Sequence, residues 1–327
     1  MTTLVTGATG FLGSAIAREL LKDGRNIKLL ARDNADLQNI KGLDAEIVVG
    51  DLRDRESLKS ALEGCSKLYH TAAYYSLWNK DKKLIFDINV RGTRNILETA
   101  LDLGIENVIY TSTVGCIGLS KDRTPTNEDY PIDLATLSND YKLSKFQAEK
   151  IALEMHGRGL PVVIVNPSTP IGPRDIKPTP TGKIVLDFLN GKMPAYLDTG
   201  LNLIDVSDCA RGHILAEEKG RPGERYILGN KNMSLKDILL ALEKITGIKA
   251  PSIKIPYWVA HTAGLACETL SNLITKTPPA IPLAGVKMAK YFMYFDSSKA
   301  IKELGLPQNS VENALGQSVQ WFKENHF

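Results

Sequence analysis

Tyr141 and Lys145 stand four residues apart in the run Tyr141-Lys142-Leu143-Ser144-Lys145. That spacing puts both side chains on one face of a helix. An ammonium beside a phenol favours the phenolate, and so pulls a tyrosine from about 10 towards the working pH range. Such a tyrosine gives a proton to a carbonyl oxygen, or takes one from an alcohol, as hydride moves. Ser112 and Thr113 follow an expected strand over Asn107–Tyr110, and their hydroxyls could hold the same oxygen. Taken alone, this tyrosine–lysine spacing is also that of a half-exposed helix pair. Its meaning depends on what precedes it.

What precedes it is Leu4-Val5-Thr6-Gly7-Ala8-Thr9-Gly10-Phe11-Leu12-Gly13. Thr2 to Thr6 is a short β-branched run, expected as a strand buried on both faces. From Ser14 to Leu21, apolar Ile16, Leu20 and Leu21 recur at helical spacing. Gly7, Gly10 and Gly13 therefore fall in a strand-to-helix turn. A side chain there would block the turn, the approach of a pyrophosphate or the packing of helix on strand. The free N–H groups and positive dipole end of the helix face the phosphates. This places a dinucleotide on Gly7, Thr9, Gly10, Phe11, Leu12 and Gly13.

The next segments extend that site. Asn26 to Leu30 is expected as a second strand, followed by Ala31, Arg32 and Asp33. A carboxylate at the strand end suits the ribose of NAD, and a guanidinium suits the 2′-phosphate of NADP(H). Arg32 favours NADP(H); the alternative leaves Arg32 in solvent and gives the selection to Asp33. A third strand over Ile47–Leu52 ends in Asp51-Leu52, where Asp51 either accepts from the adenine amine or caps a helix near Arg55–Leu62. Lys67 to His70 runs into Thr71-Ala72-Ala73, small residues that let the backbone lie flat against a cofactor. Tyr74, Tyr75 and Trp78 come next, as substrate walls or as packing under a loop.

Composition bounds the rest. The 327 residues suit one large unit with a smaller one appended. Hydrophobic content of 43% and charged content of 24% are ordinary for a globular enzyme. A net charge of +3 without a dense basic cluster argues against nucleic acid. Cys65, Cys116, Cys209 and Cys267 lie far apart, form no metal-type pair and suit reduced thiols in the cytoplasm. The five histidines show no ligand spacing, so no metal is expected. The N-terminus leads straight into the first strand without a leader-like stretch, and no apolar run is long enough to span a membrane.

Strands and helices alternate from the start, with helices at Phe86–Leu103 and Asn139–Met155 and a sixth strand at Pro161–Val165. This defines an α/β fold, a doubly wound parallel (Rossmann) sheet with a smaller, mostly C-terminal α/β substrate domain. The dinucleotide domain is expected over 1–166 with a returning segment near 203–228, and the substrate domain over 167–202 and 229–327. Pro167, Pro170, Pro173, Pro178 and Pro180 mark a long loop of the kind that carries binding residues. Thr124–Leu137 is expected as a surface loop.

In this order the motifs resemble the extended short-chain dehydrogenases/reductases, the NAD-dependent epimerase/dehydratase family. The matching pieces are Thr6–Gly13, Gly50-Asp51-Leu52, His70–Ala73, Asn89-Val90-Arg91-Gly92-Thr93, Tyr110–Thr113, Tyr141 with Lys145, and Asn166-Pro167. The run Val163–Asp175 is similar to the dihydroflavonol 4-reductase-like branch. Pro178–Gly182 and Asp187–Gly191 are similar to the bacterial hopanoid-associated sugar epimerase group. The resemblance implies that Tyr141 is the acid/base, that Lys145 binds the nicotinamide ribose and lowers the tyrosine pKa, and that Thr113 replaces a catalytic serine. It also implies cofactor contacts from Asn89, Thr111, Ser112, Pro167 and Ser168, with Asn166 near the carboxamide. Arg174 joins Tyr74, Trp78, Thr113 and Asn166 as a substrate candidate.

The expected activity is hydride transfer between NADP(H) and a secondary alcohol or ketone. Tyr74, Trp78, Tyr257 and Trp258 suggest a partly apolar small-molecule substrate. The alternatives are a nucleotide-sugar epimerase or dehydratase with bound NAD, and a cofactor-sensing regulator, which would not need Tyr141 and Lys145. The helix over Tyr257–Ile274 is expected to be buried rather than to lie in a membrane interface. The resemblance further implies a homodimer joined through Phe86–Leu103 and Asn139–Met155.

Overall fold

The structure is a computed structural model describing residues 1–76, 78, 82–137 and 139–327. Its strands, in chain order, are Thr2–Thr6 (β1), Asn26–Ala31 (β2), Glu46–Val49 (β3), Cys65–His70 (β4), Asn107–Thr111 (β5) and Val162–Pro167 (β6). Thr169–Ile171 (β7), Gly200–Asp205 (β8), Arg225–Leu228 (β9), Lys231–Ser234 (β10) and Phe292–Met293 (β11) follow. Seven of them form one parallel sheet in the order β3-β2-β1-β4-β5-β6-β9. The order reverses between β1 and β4, which opens a crevice beyond the carboxyl ends of the strands.

The helices are Phe11–Lys22 (α1), Arg55–Leu62 (α2), Lys82–Phe86 (α3), Gly92–Asp102 (α4), Asp140–Gly157 (α5), Pro180–Leu189 (α6), Val206–Lys219 (α7), Leu235–Thr246 (α8), Tyr257–Leu270 (α9), Leu283–Met288 (α10) and Val311–Glu324 (α11). Ile16 and Leu20 of α1 and Ala210 and Ile214 of α7 pack on one face of the large sheet. Leu58 of α2, Ile96 of α4 and Ile151 of α5 pack on the other. Because helices cover both faces, Val162 to Val165 can be an unbroken apolar run.

The helix expected over Phe86–Leu103 is interrupted. A wide π-type turn at Asp87–Arg91 joins α3 to α4, and the added residue turns Asn89 into the protein. A smaller sheet has β8 at its centre, with β10 antiparallel and β7 and β11 parallel to it. Ile171, Phe188, Leu203, Leu239 and Phe322 form the core beside it.

Thr124–Leu137 is less superficial than its composition suggests. Thr126 and Glu128 are buried, because the Glu128 carboxylate accepts from the Ile227 amide at 2.7 Å.

Candidate active site

A cleft of about 940 Å³ opens at the β1/β4 crevice, large enough for a dinucleotide and a substrate. Gly7, Thr9, Gly10, Phe11, Leu12 and Gly13 line one end. Gly7 has φ of 71°, and a Cβ there would stand 2.7 Å from the Ala72 nitrogen. A Cβ on Gly13 would stand 2.1 Å from the Gly7 carbonyl oxygen, so this position sets how closely α1 seats on β1. Gly10 begins α1 without a side-chain cap, and the first turn holds no acidic residue. Its N–H groups therefore suit an anion. A pyrophosphate fits this cradle.

At the adenosine end, Arg32 lines the cleft and Asp33 does not. Asp51 and Leu52 also line it. The Asp51 carboxylate is gripped by Arg53, Nε to Oδ1 at 2.9 Å and Nη2 to Oδ2 at 2.7 Å. This fork, with Arg32 nearby, holds its pKa below the usual carboxylate range. The helix cap that Asp51 could have supplied comes from Asp54, which accepts from the Glu56 amide. Thr71, Ala72 and Ala73 lie along the middle of the cleft.

The catalytic candidates converge at the other end. Asn139 caps α5 by accepting from the Lys142 amide at 2.8 Å, which places Tyr141 in the first turn and Lys145 one turn on. Both line the cleft with Thr111, Ser112 and Thr113, and so do Pro167 and Ser168. Ser168 Oγ is buried without a partner, as a group awaiting a carboxamide would be. Lys145 is buried and donates to the Thr111 carbonyl at 2.8 Å and to Tyr110 Oη at 3.1 Å. Burial lowers its pKa to about 8. The lowered tyrosine pKa inferred from the spacing is not what the geometry gives: burial raises the Tyr141 phenol above its ordinary value, and Lys145 is engaged with Tyr110 and Thr111.

Four candidates stand outside the cleft lining. Asn89 is buried; its Nδ2 donates to the Tyr74 carbonyl and Ser144 Oγ, and its Oδ1 accepts from the Tyr74 amide. Asn166 lies beneath the floor, donating to the Thr113 carbonyl at 3.0 Å and to Glu149 Oε2 at 2.9 Å. Trp78 is not in the lining, and its Nε1 donates to Asn272 Oδ1 at 3.0 Å. Arg174 is exposed at φ of 73°, and its charge adds to burial in lowering the Arg18 pKa. Tyr257 and Trp258 are also absent from the lining. Tyr74 does line it, and so does Tyr75, whose ring stands edge-on to Tyr141 with centroids 4.5 Å apart.

Sequence reasoning passed over Glu149. It is buried and accepts from Ser112 Oγ at 2.5 Å, from Asn166 Nδ2 and from Arg225 Nη1 at 3.3 Å. The signal was present: Tyr141, Lys145 and Glu149 recur every four residues along one helix face.

A doubly wound sheet with a glycine cradle and a facing tyrosine–lysine pair defines a dinucleotide-dependent α/β enzyme. Residues 3–229 match the model of the NAD dependent epimerase/dehydratase family, and the chain belongs to that family, the extended short-chain dehydrogenases/reductases. It is 47% identical to a Synechocystis protein named "Putative dihydroflavonol 4-reductase", over 98% of this chain and 94% of that one. It is 35% identical to "Sterol demethylase protein B" of Methylococcus capsulatus, over 99% of both. The crystal structure of gox2253 matches with a TM-score of 0.88 at 44% identity, covering 99% of this chain and 98% of the other. The chain is thus an oxidoreductase of this family.

Proposed function

We propose that the enzyme favours NADPH and moves hydride between the nicotinamide and a secondary alcohol or ketone of a partly apolar substrate. The carrying observation is that Tyr141, Lys145 and Thr113 face one cleft whose remaining walls include Tyr74, Tyr75, Val114, Ile184, Leu201, Met288 and Met293. The segments 167–202 and 229–327 act as the substrate-holding unit in this proposal.

The bound dinucleotide supplies or accepts the hydride. When a ketone is reduced, Tyr141 gives its proton to the carbonyl oxygen, and its raised pKa keeps that proton in place near neutral pH. The ammonium of Lys145, held on the Thr111 carbonyl and Tyr110 Oη, places positive charge in the same cleft. Thr113 holds the substrate oxygen. Arg32 takes the 2′-phosphate through charge-assisted hydrogen bonds. The relatives named for a dihydroflavonol and a sterol support an apolar substrate.

The competing reading is a nucleotide-sugar epimerase. Apart from Arg32 and Lys145, Lys177 is the only cationic side chain among the described residues that line the cleft, a poor match for a substrate diphosphate. The test is NADPH consumption over a panel of apolar ketones. Turnover with NADPH supports the proposal; no turnover on the panel, together with interconversion of nucleotide sugars, overturns it.

A further inference from the structure

His213 is completely buried on α7 and does not line the cleft. The helix starts where Asp205 accepts from the Ser207 amide at 2.7 Å, and His213 follows Cys209 by about one turn. Its ring makes two polar contacts. Nδ1 stands 2.7 Å from the Cys209 carbonyl oxygen, and Nε2 stands 3.1 Å from Thr111 Oγ1. Thr111 ends β5 two residues after Ile109, so its side chain points to the α7 layer. Its carbonyl accepts from Lys145 of α5. Two helix layers therefore grip one residue of the cleft wall.

Counting protons fixes the direction of these contacts. A carbonyl oxygen only accepts, so the ring proton sits on Nδ1. Burial lowers the His213 pKa to about 4, so the neutral ring has no second proton and Nε2 is an acceptor. The Thr111 hydroxyl must donate to it. The register of β4 and β5 pairs His70 with Tyr110, which sets Thr71 beside Thr111, their Oγ1 atoms 3.3 Å apart. Thr111 has one hydroxyl proton and His213 takes it, so Thr71 closes this contact with its own. Neither threonine keeps a proton for the cleft that both of them line.

We propose that His213 is a positioning residue for the dinucleotide: by drawing the Thr111 proton out of the cleft, it makes the Thr71–Thr111 pair an acceptor for a sugar hydroxyl. An ionised phosphate oxygen carries no proton and is turned away from such a pair. The uncapped N–H groups that open α1 at Gly10 suit it instead. The two stations differ in polarity along one cleft, and the difference sets which part of the dinucleotide lies on the threonines. The inference rests on the cleft holding a dinucleotide.

The test has two readouts on the full chain. Long-range hydrogen–nitrogen NMR of the wild type, with the His213 signals assigned by their loss in His213→Gln, is expected to show Nδ1 protonated and Nε2 bare. Fluorescence titration with NADPH and with NADH is expected to show both bound about tenfold more weakly by His213→Leu. His213→Gln, whose side-chain oxygen can accept from Thr111, should stay within about threefold of the wild type. In a Thr111→Val background, His213→Leu should cost nothing further. A proton on Nε2 overturns the proposal, as does unchanged affinity in His213→Leu, or a loss of the same size with Thr111 already replaced. A merely structural role gives that last result. If His213→Leu fails to fold, the wild-type tautomer and the Gln variant still decide. Failure of the wild type to bind either cofactor counts against the dinucleotide reading itself, whereas normal binding with the proton on Nε2 counts against His213 alone.

Discussion

The ring of Tyr75 stands edge-on to that of Tyr141, with centroids 4.5 Å apart and planes at 67°. The contact fixes the direction of the phenol while leaving its oxygen to the cleft. Tyr75→Ala should therefore lower kcat about tenfold with little change in cofactor affinity, whereas Tyr75→Phe should stay near wild type. Tyr141→Phe keeps the ring contact and removes the proton, and should lower kcat by about 10²–10⁴. Steady-state kinetics on the three variants separates aiming from chemistry.

Lys145 gives the pH dependence. Its pKa is lowered to about 8 by burial, so the ammonium is present below that pH and lost above it. Activity should fall along an alkaline limb centred near pH 8. Stability moves the other way: the cost of burying the charge is present below the folded pKa and is relieved as pH rises towards the ordinary lysine value. A pH–rate profile beside a pH–Tm profile should show the two diverging above pH 8.

Gly13 and Gly24 make a contrast within one supersecondary unit. A Cβ on Gly13 would collide with the Gly7 carbonyl oxygen at 2.1 Å, while one on Gly24 would meet nothing within 4 Å at φ of 70°. Gly13→Ala should cost about 3 kcal/mol or more and abolish NADPH binding. Gly24→Ala should cost about 1 kcal/mol, with binding intact. Urea unfolding and cofactor titration measure both.

Glu149 ties Ser112, Asn166 and Arg225 together beneath the floor. Glu149→Ala removes the acceptor that Ser112, Asn166 and Arg225 share, and should cost about 1–3 kcal/mol. Arg225→Met/Glu149→Leu removes the charges together and should recover part of that loss. Thermal denaturation of both variants tests the coupling.

How much of this was legible in the sequence depends on how local each signal is. The glycine turn, the alternation of strands and helices and the Tyr141–Lys145 spacing are short-range patterns, and they mark β1, α1 and the face of α5. Placement of side chains by long-range packing was not legible. The aromatic run Tyr74–Trp78 gives no sign that Tyr75 meets Tyr141 while Trp78 leaves for Asn272. Asn89 is turned inward by a π-type turn that helical periodicity does not encode. Arg174 depends on a left-handed backbone turn. The apolar content of α9 matches that of a core helix, and only the tertiary fold shows that Trp258, Leu265 and Leu270 are exposed instead of buried.

Fluorescence titration of NADPH and NADH against the wild type and Arg32→Ala tests the central claim most directly. The account predicts that the wild type binds NADPH at least about tenfold tighter than NADH, and that Arg32→Ala loses this margin by weakening NADPH alone. Tighter binding of NADH, or of NAD carried through purification, would contradict it, as would a margin that survives the loss of Arg32.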